Sequence, residues 1–129
     1  MRDGQPFFTE PCRRAYAALA ERMLGHQIVY LECSGMLGDL AVVAAARDAL
    51  SSAQLFYGGR IYDYDSAYEM AKVADTVVIG DVLHDAGIEA IKESARGVAC
   101  CPESRSIYEL NESSWNYRQL SILMFIIVE

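Results

Sequence analysis

Ile28-Val29-Tyr30-Leu31-Glu32-Cys33-Ser34-Gly35 begins with apolar, β-branched and aromatic residues and stops at a serine and a glycine. Two later stretches repeat the pattern, Leu55-Phe56-Tyr57-Gly58-Gly59 and Thr76-Val77-Val78-Ile79-Gly80-Asp81. Each is rich in side chains that fit a pleated surface and ends in a turn signal, so each reads as a strand: 28–33, 54–57 and 76–79. The first carries the apolar run of a strand buried on both faces. Gly59 follows Gly35 by 24 residues and Gly80 follows Gly59 by 21, close to the minimum for one strand, one crossover helix and their loops. Right-handed crossovers then make the three strands parallel neighbours, and such a β/α protein keeps its chemistry at the C-terminal ends of its strands.

The intervening segments have helical spacing. Thr9 is a candidate cap with Pro11 in the first turn, and Cys12, Tyr16, Leu19 and Met23 fall on one stripe of a helix that Gly25 stops. Asp39 can cap a second helix that runs to about Leu50 with Leu40, Val43, Ala46 and Leu50 turned inward, broken by Ser51-Ser52. A third begins at Asp63 or Ser66, either of which suits the cap, and carries Ala67, Met70, Ala71 and Ala74 on one face. A last helix is expected from Gly87 to Arg96, ended by Gly97. From 98 to 129 the rhythm is lost; this divergent tail holds the only tryptophan, Trp115, and the apolar run Leu120 to Val128.

Composition narrows the function. With 53% hydrophobic and 22% charged residues, the 129-residue chain is globular rather than disordered. A net charge of −7 with no Lys/Arg cluster argues against nucleic acid as a partner, so an anionic ligand must be held by local backbone N–H groups or a metal. Cys12, Cys33, Cys100 and Cys101 lack metal spacing, and no charged-then-apolar leader follows Met1, which suits a reducing cytoplasm. The longest apolar stretch is far short of the ~20 residues that cross a bilayer.

Side by side, the three strand ends would form one patch. Gly58-Gly59 and Gly80 let a ligand approach bare backbone N–H groups, as phosphate sites of (β/α)8 barrels do, while Glu32 and Ser34 add a carboxylate and a hydroxyl. A small polyol phosphate suits such a patch. The same glycines are equally well explained as turn residues, and Glu32 as a structural strand-end carboxylate. His26 and His84 have no paired carboxylate or nucleophile and read as surface residues. Cys33 reads as a small packed side chain, Cys100-Cys101 as incidental, and the acids of Tyr62-Asp63-Tyr64-Asp65 as helix caps rather than metal ligands.

The stretches Tyr30-Leu31-Glu32-Cys33-Ser34-Gly35-Met36-Leu37-Gly38-Asp39, Leu55-Phe56-Tyr57-Gly58-Gly59 and Ala74-Asp75-Thr76-Val77-Val78-Ile79-Gly80-Asp81 resemble the C-terminal half of the geranylgeranylglyceryl and heptaprenylglyceryl phosphate synthase family, in its archaeal members above all. The resemblance covers about residues 9 to 97. It implies an α/β fold, the last three units of a (β/α)8 (TIM) barrel with a preceding helix. It also implies the family's reaction, transfer of a geranylgeranyl group from geranylgeranyl diphosphate to the 3-hydroxyl of sn-glycerol 1-phosphate in archaeal ether-lipid synthesis, with Mg²⁺ neutralising the departing diphosphate.

Carried over by motif, the sn-glycerol 1-phosphate site comprises Tyr30, Leu31, Glu32, Cys33, Ser34, Gly35, Gly58, Gly59, Arg60, Gly80 and Asp81. Glu32 would fix the glycerol hydroxyls and assist loss of the proton, while Ser34 and the glycine backbone grip the phosphate.

Three positions depart from the family. Cys33 replaces a usual tyrosine and loses an aromatic wall. Arg60 replaces a third glycine, which costs on the order of 1 kcal/mol if φ is positive there. Asp81 replaces an asparagine and brings negative charge toward a phosphate unless it faces away.

The lysine, metal-binding aspartate and Ser/Thr that the family's first strands supply have no counterpart before Ile28, so the Mg²⁺ ligands are expected to be missing. Two readings follow: a prenyltransferase-derived chain that keeps the acceptor half of its site, or an inactive fragment or glycerol-phosphate-binding module. Because a (β/α)8 barrel needs at least ~200 residues, three strands alone leave open edges, and self-association is expected.

Overall fold

A computed structural model describes residues 10–33 and 35–102. The elements run α1 (Glu10–Arg22), β1 (Ile28–Glu32), α2 (Leu40–Asp48), β2 (Gln54–Gly58), α3 (Tyr64–Ala71), β3 (Thr76–Val78) and α4 (Val82–Cys100). The three strands form one parallel sheet in the order β1-β2-β3, with Tyr30 beside Phe56 and Phe56 beside Thr76. Three strand-helix units in a parallel sheet are what the glycine spacing implied. The Thr9 cap, Ser34 and the tail beyond 102 lie outside the described residues.

Alternation along each strand divides the sheet into two faces. Val29, Leu31, Leu55, Tyr57 and Val77 face the helices, where Leu55, Tyr57 and Val77 join Val43, Ala46, Ala67 and Met70 in the core. Ile28, Tyr30 and Glu32 lie on the other face and are exposed. The expectation that β1 is buried on both faces is therefore corrected. Among its side chains only the helix-facing Val29 and Leu31 pack against the core.

Local capping follows the sequence. The Asp39 carboxylate accepts the Ala41 N–H at 2.8 Å, and Asp63, not Ser66, caps α3. Ser66 completes a reciprocal capping box, its hydroxyl accepting the Asp63 N–H while Asp63 accepts the Ser66 N–H. Ala67, Met70, Ala71 and Ala74 are all buried, as expected.

Two helices differ from expectation. On α1 the stripe of Cys12, Tyr16, Leu19 and Met23 faces outward, with Met23 76% exposed, and the small residues Ala17 and Ala18 pack inward instead. Alanines let α1 approach α2 closely, so the apolar period marks the exposed face of the helix rather than the packed one. α4 begins earlier and ends later than read. A break at Gly87 (φ 73°, ψ −169°) divides it, and it continues through Gly97 to Cys100. Gly97 is no terminator: a Cβ there would strike the backbone carbonyl of Tyr64, so the missing side chain is what allows α4 to rest on α3.

The Ser51-Ser52 break has a tertiary anchor. Glu21 on α1 accepts the N–H groups of Ser51, Ser52 and Ala53. These backbone bonds, that of Ala53 foremost, hold its carboxyl down at about 2. A carboxyl lowered in the fold contributes stability above its unfolded value near 4.5, and that stability is lost as pH falls toward 2. Glu21→Gln is expected to flatten acid unfolding in this window, measured by circular dichroism. An unchanged acid midpoint would remove Glu21 from the account. Among the described residues no helix is long and apolar enough to cross a membrane.

Candidate functional site

The C-terminal ends of the three strands meet in a pocket lined by Tyr30, Glu32, Gly58, Gly59, Gly80 and Asp81, together with Cys33, Gly35, Arg60 and His84. Alternation explains the first two. Tyr30 and Glu32 share the open face of β1, so both reach over the strand ends while Leu31 between them packs against the core. Leu31 therefore brings no side chain to the pocket, although the motif includes it.

Tyr30 and Glu32 act as a pair. The Tyr30 ring lies over Gly58, where a Cβ would collide with the phenol oxygen, so the glycine gives the ring its seat. Burial raises the Tyr30 hydroxyl above its ordinary value, and the carboxylate of Glu32, hydrogen-bonded to it, and the charge of Asp81 raise it further. Tyr30 thus stays a neutral donor that orients Glu32.

Arg60 meets the condition attached to its cost. Its φ is 45°, the one positive value at a non-glycine position among the described residues. The guanidinium donates to the Gly35 carbonyl at 3.0 Å and sits 5.4 Å over the Tyr62 ring, which joins the loops after β1 and β2. Asp81 makes no capping bond at the head of α4, and it lines the pocket instead of facing away. Its charge opposes an anion, while Arg60 brings a cation to the same pocket.

Cys33 is a packed group. Its sulfur accepts from Arg13 Nη1 at 3.2 Å and touches the core. His26 is exposed in the turn after α1, whereas His84, read as a surface residue, lines the pocket. The available signal for it was position: it falls one helical turn after Asp81, and that turn follows the third strand end. The sequence marks Tyr57 only as a strand residue, yet its hydroxyl accepts the Gly38 N–H at 2.6 Å beneath the pocket. Nothing in its spacing distinguishes it from any core aromatic.

Among the described residues no three His, Cys, Asp or Glu side chains gather to hold a metal. The Asp63–Asp65 acids belong to α3, where Asp63 is the cap. A second groove, between α1 and α2, is lined by Pro11, Ala18, Arg22 and Asp48 among others. It lies away from the strand ends and gathers none of the motif residues. The strand-end pocket is therefore the candidate site: a carboxylate held by a phenol, glycine backbone from three loops, and one arginine.

Residues 9–97 match the model of the PcrB family. The chain is 55% identical over 83 residues to a geranylgeranylglyceryl phosphate synthase of Natronomonas pharaonis, covering 64% of this chain and 35% of that protein. It is 54% identical over 84 residues to the Halobacterium salinarum protein of the same name, covering 65% and 36%. A heptaprenylglyceryl phosphate synthase of Geobacillus kaustophilus is 48% identical over 77 residues, 60% of this chain and 32% of that protein. The chain thus spans about a third of the length of these relatives.

Proposed function

The chain belongs to the PcrB family, and from that premise we propose that its strand-end pocket binds sn-glycerol 1-phosphate, the acceptor in transfer of a geranylgeranyl group from geranylgeranyl diphosphate. The observation that carries this reading is the convergence of the Tyr30–Glu32 pair with the glycines after β2 and β3 in one pocket. Glu32, oriented by Tyr30, accepts hydrogen bonds from the glycerol hydroxyls and assists departure of the proton from the attacking oxygen. Backbone N–H groups of Gly59 and Arg60 and the Arg60 guanidinium take the phosphate. The remaining units would complete a (β/α)8 barrel, of which these are the last three.

Mg²⁺, when bound, would neutralise the departing diphosphate. The described residues gather no ligand set for it, and no step is assigned to them through it. The second reading for this chain is acceptor binding without transfer.

Titration with sn-glycerol 1-phosphate, followed by a Mg²⁺-dependent prenyl-transfer assay on the same sample, separates the readings. Saturable binding is the expected result, Mg²⁺-dependent product supports transfer and its lack the binding module, and binding is expected to drop at least tenfold in Glu32→Ala. Glu32→Ala binding as tightly as the parent protein would overturn the site. We further infer that the edge of β1, open among the described residues, and its exposed Ile28 are met by a second copy of the chain. A monomer in light scattering at micromolar concentration contradicts that.

A further inference from the structure

Tyr57 is fully buried, and its hydroxyl touches two of the three loops that frame the pocket, those after β1 and β2. It accepts the Gly38 N–H at 2.6 Å and donates to the Gly59 carbonyl at 3.3 Å. Its slot exists because two side chains are missing. A Cβ on Gly38 would lie 2.8 Å from the Tyr57 oxygen, and one on Gly59 would lie 2.7 Å from it. Burial pushes the phenol up to about 12, so it keeps its proton and remains a donor.

Gly59 has φ 150°, a setting that glycine adopts and other residues rarely do, so its conformation needs the missing side chain. The bond from Tyr57 holds its carbonyl. Because the peptide is planar and trans, a Gly59 carbonyl drawn inward to Tyr57 sends the Arg60 N–H in the opposite direction, away from the core. Gly59 and Arg60 both line the pocket, so this peptide is part of the pocket wall.

We propose that Tyr57 is a positioning residue for acceptor binding, fixing from within the core the backbone that faces the phosphate. This inference rests on the reading of the pocket as an sn-glycerol 1-phosphate site. It concerns a residue that touches no ligand and acts through the Gly59–Arg60 peptide.

The test compares the parent chain with Tyr57→Phe in an NMR titration with sn-glycerol 1-phosphate. A second variant, Leu55→Val, loosens the same core without touching either loop. Tyr57→Phe is expected to weaken binding about tenfold and to abolish the ligand-induced shift of the Arg60 amide. Leu55→Val is expected to lower the melting temperature while leaving both unchanged. If Tyr57→Phe binds like the parent chain, the inference falls and the site stands. If Leu55→Val weakens binding as much, the role of Tyr57 is only structural and the inference falls. A parent chain that ignores sn-glycerol 1-phosphate overturns the site reading, and this inference with it.

Discussion

Asp75→Ala is expected to destabilise the fold by about 3 kcal/mol, because it removes one partner of a largely buried ion pair and orphans a backbone donor. Asp75 Oδ2 lies 2.7 Å from Arg47 Nε and accepts the Leu55 N–H at 2.8 Å. The two side chains are only 12% and 19% exposed, so solvent does little to replace the lost contact. Three segments meet at this one oxygen: the last turn of α2, the second residue of β2 and the residue before β3. Without it, Arg47 keeps its charge beside the core and Leu55 keeps an N–H that the ladder does not use. Asp75→Asn retains an acceptor for Leu55 and is expected to fall between the parent and alanine variants. Urea unfolding monitored by circular dichroism measures all three. Equal midpoints for Asp75→Ala and the parent protein would show that the junction contributes nothing net.

Gly97→Ala inverts what local propensity dictates. Within a helix, alanine is favoured over glycine by ~1 kcal/mol, so a reading of α4 alone expects a gain. The structure requires a loss, since the added carbon strikes the Tyr64 carbonyl and approaches the Tyr68 backbone nitrogen to 3.1 Å. Backbone cannot rotate out of the way as a side chain can, so α4 must lift from α3. The expected net cost is about 1–3 kcal/mol, the range of overpacked cores. The signature is a lowered melting temperature together with exposure of the α3 face, read as faster amide exchange at Ala67 and Met70, which are now buried there. A raised melting temperature would mean that α4 does not pack as described.

The strands were legible because β-branched and aromatic runs bounded by glycine are a local signal, and both partners of that signal lie within a few residues. Asp39 as a cap was legible for the same reason, its partner Ala41 being two residues away. The choice between Asp63 and Ser66 was not, because both form the same capping box and either hydrogen-bonding role suits either residue. At the pocket, Tyr30, Glu32, Gly58, Gly59 and Gly80 came from motif, and alternation along β1 then separated Tyr30 and Glu32 from Leu31. His84 escaped because a lone histidine carries no spacing of its own.

The sequence by itself determined the order and parallel arrangement of the strand-helix units, and the family motifs at the ends of those strands. Local propensity and periodicity encode these, since each depends on neighbours along the chain. Only the tertiary structure decided which face each stripe presents, that Gly97 is a contact rather than a stop, and that Tyr57, Asp75 and Glu21 join separate segments. Those bonds span separations of 19 residues for Tyr57 and Gly38, 20 for Asp75 and Leu55, and 32 for Glu21 and Ala53. No local period records a partner that far away; packing selects it.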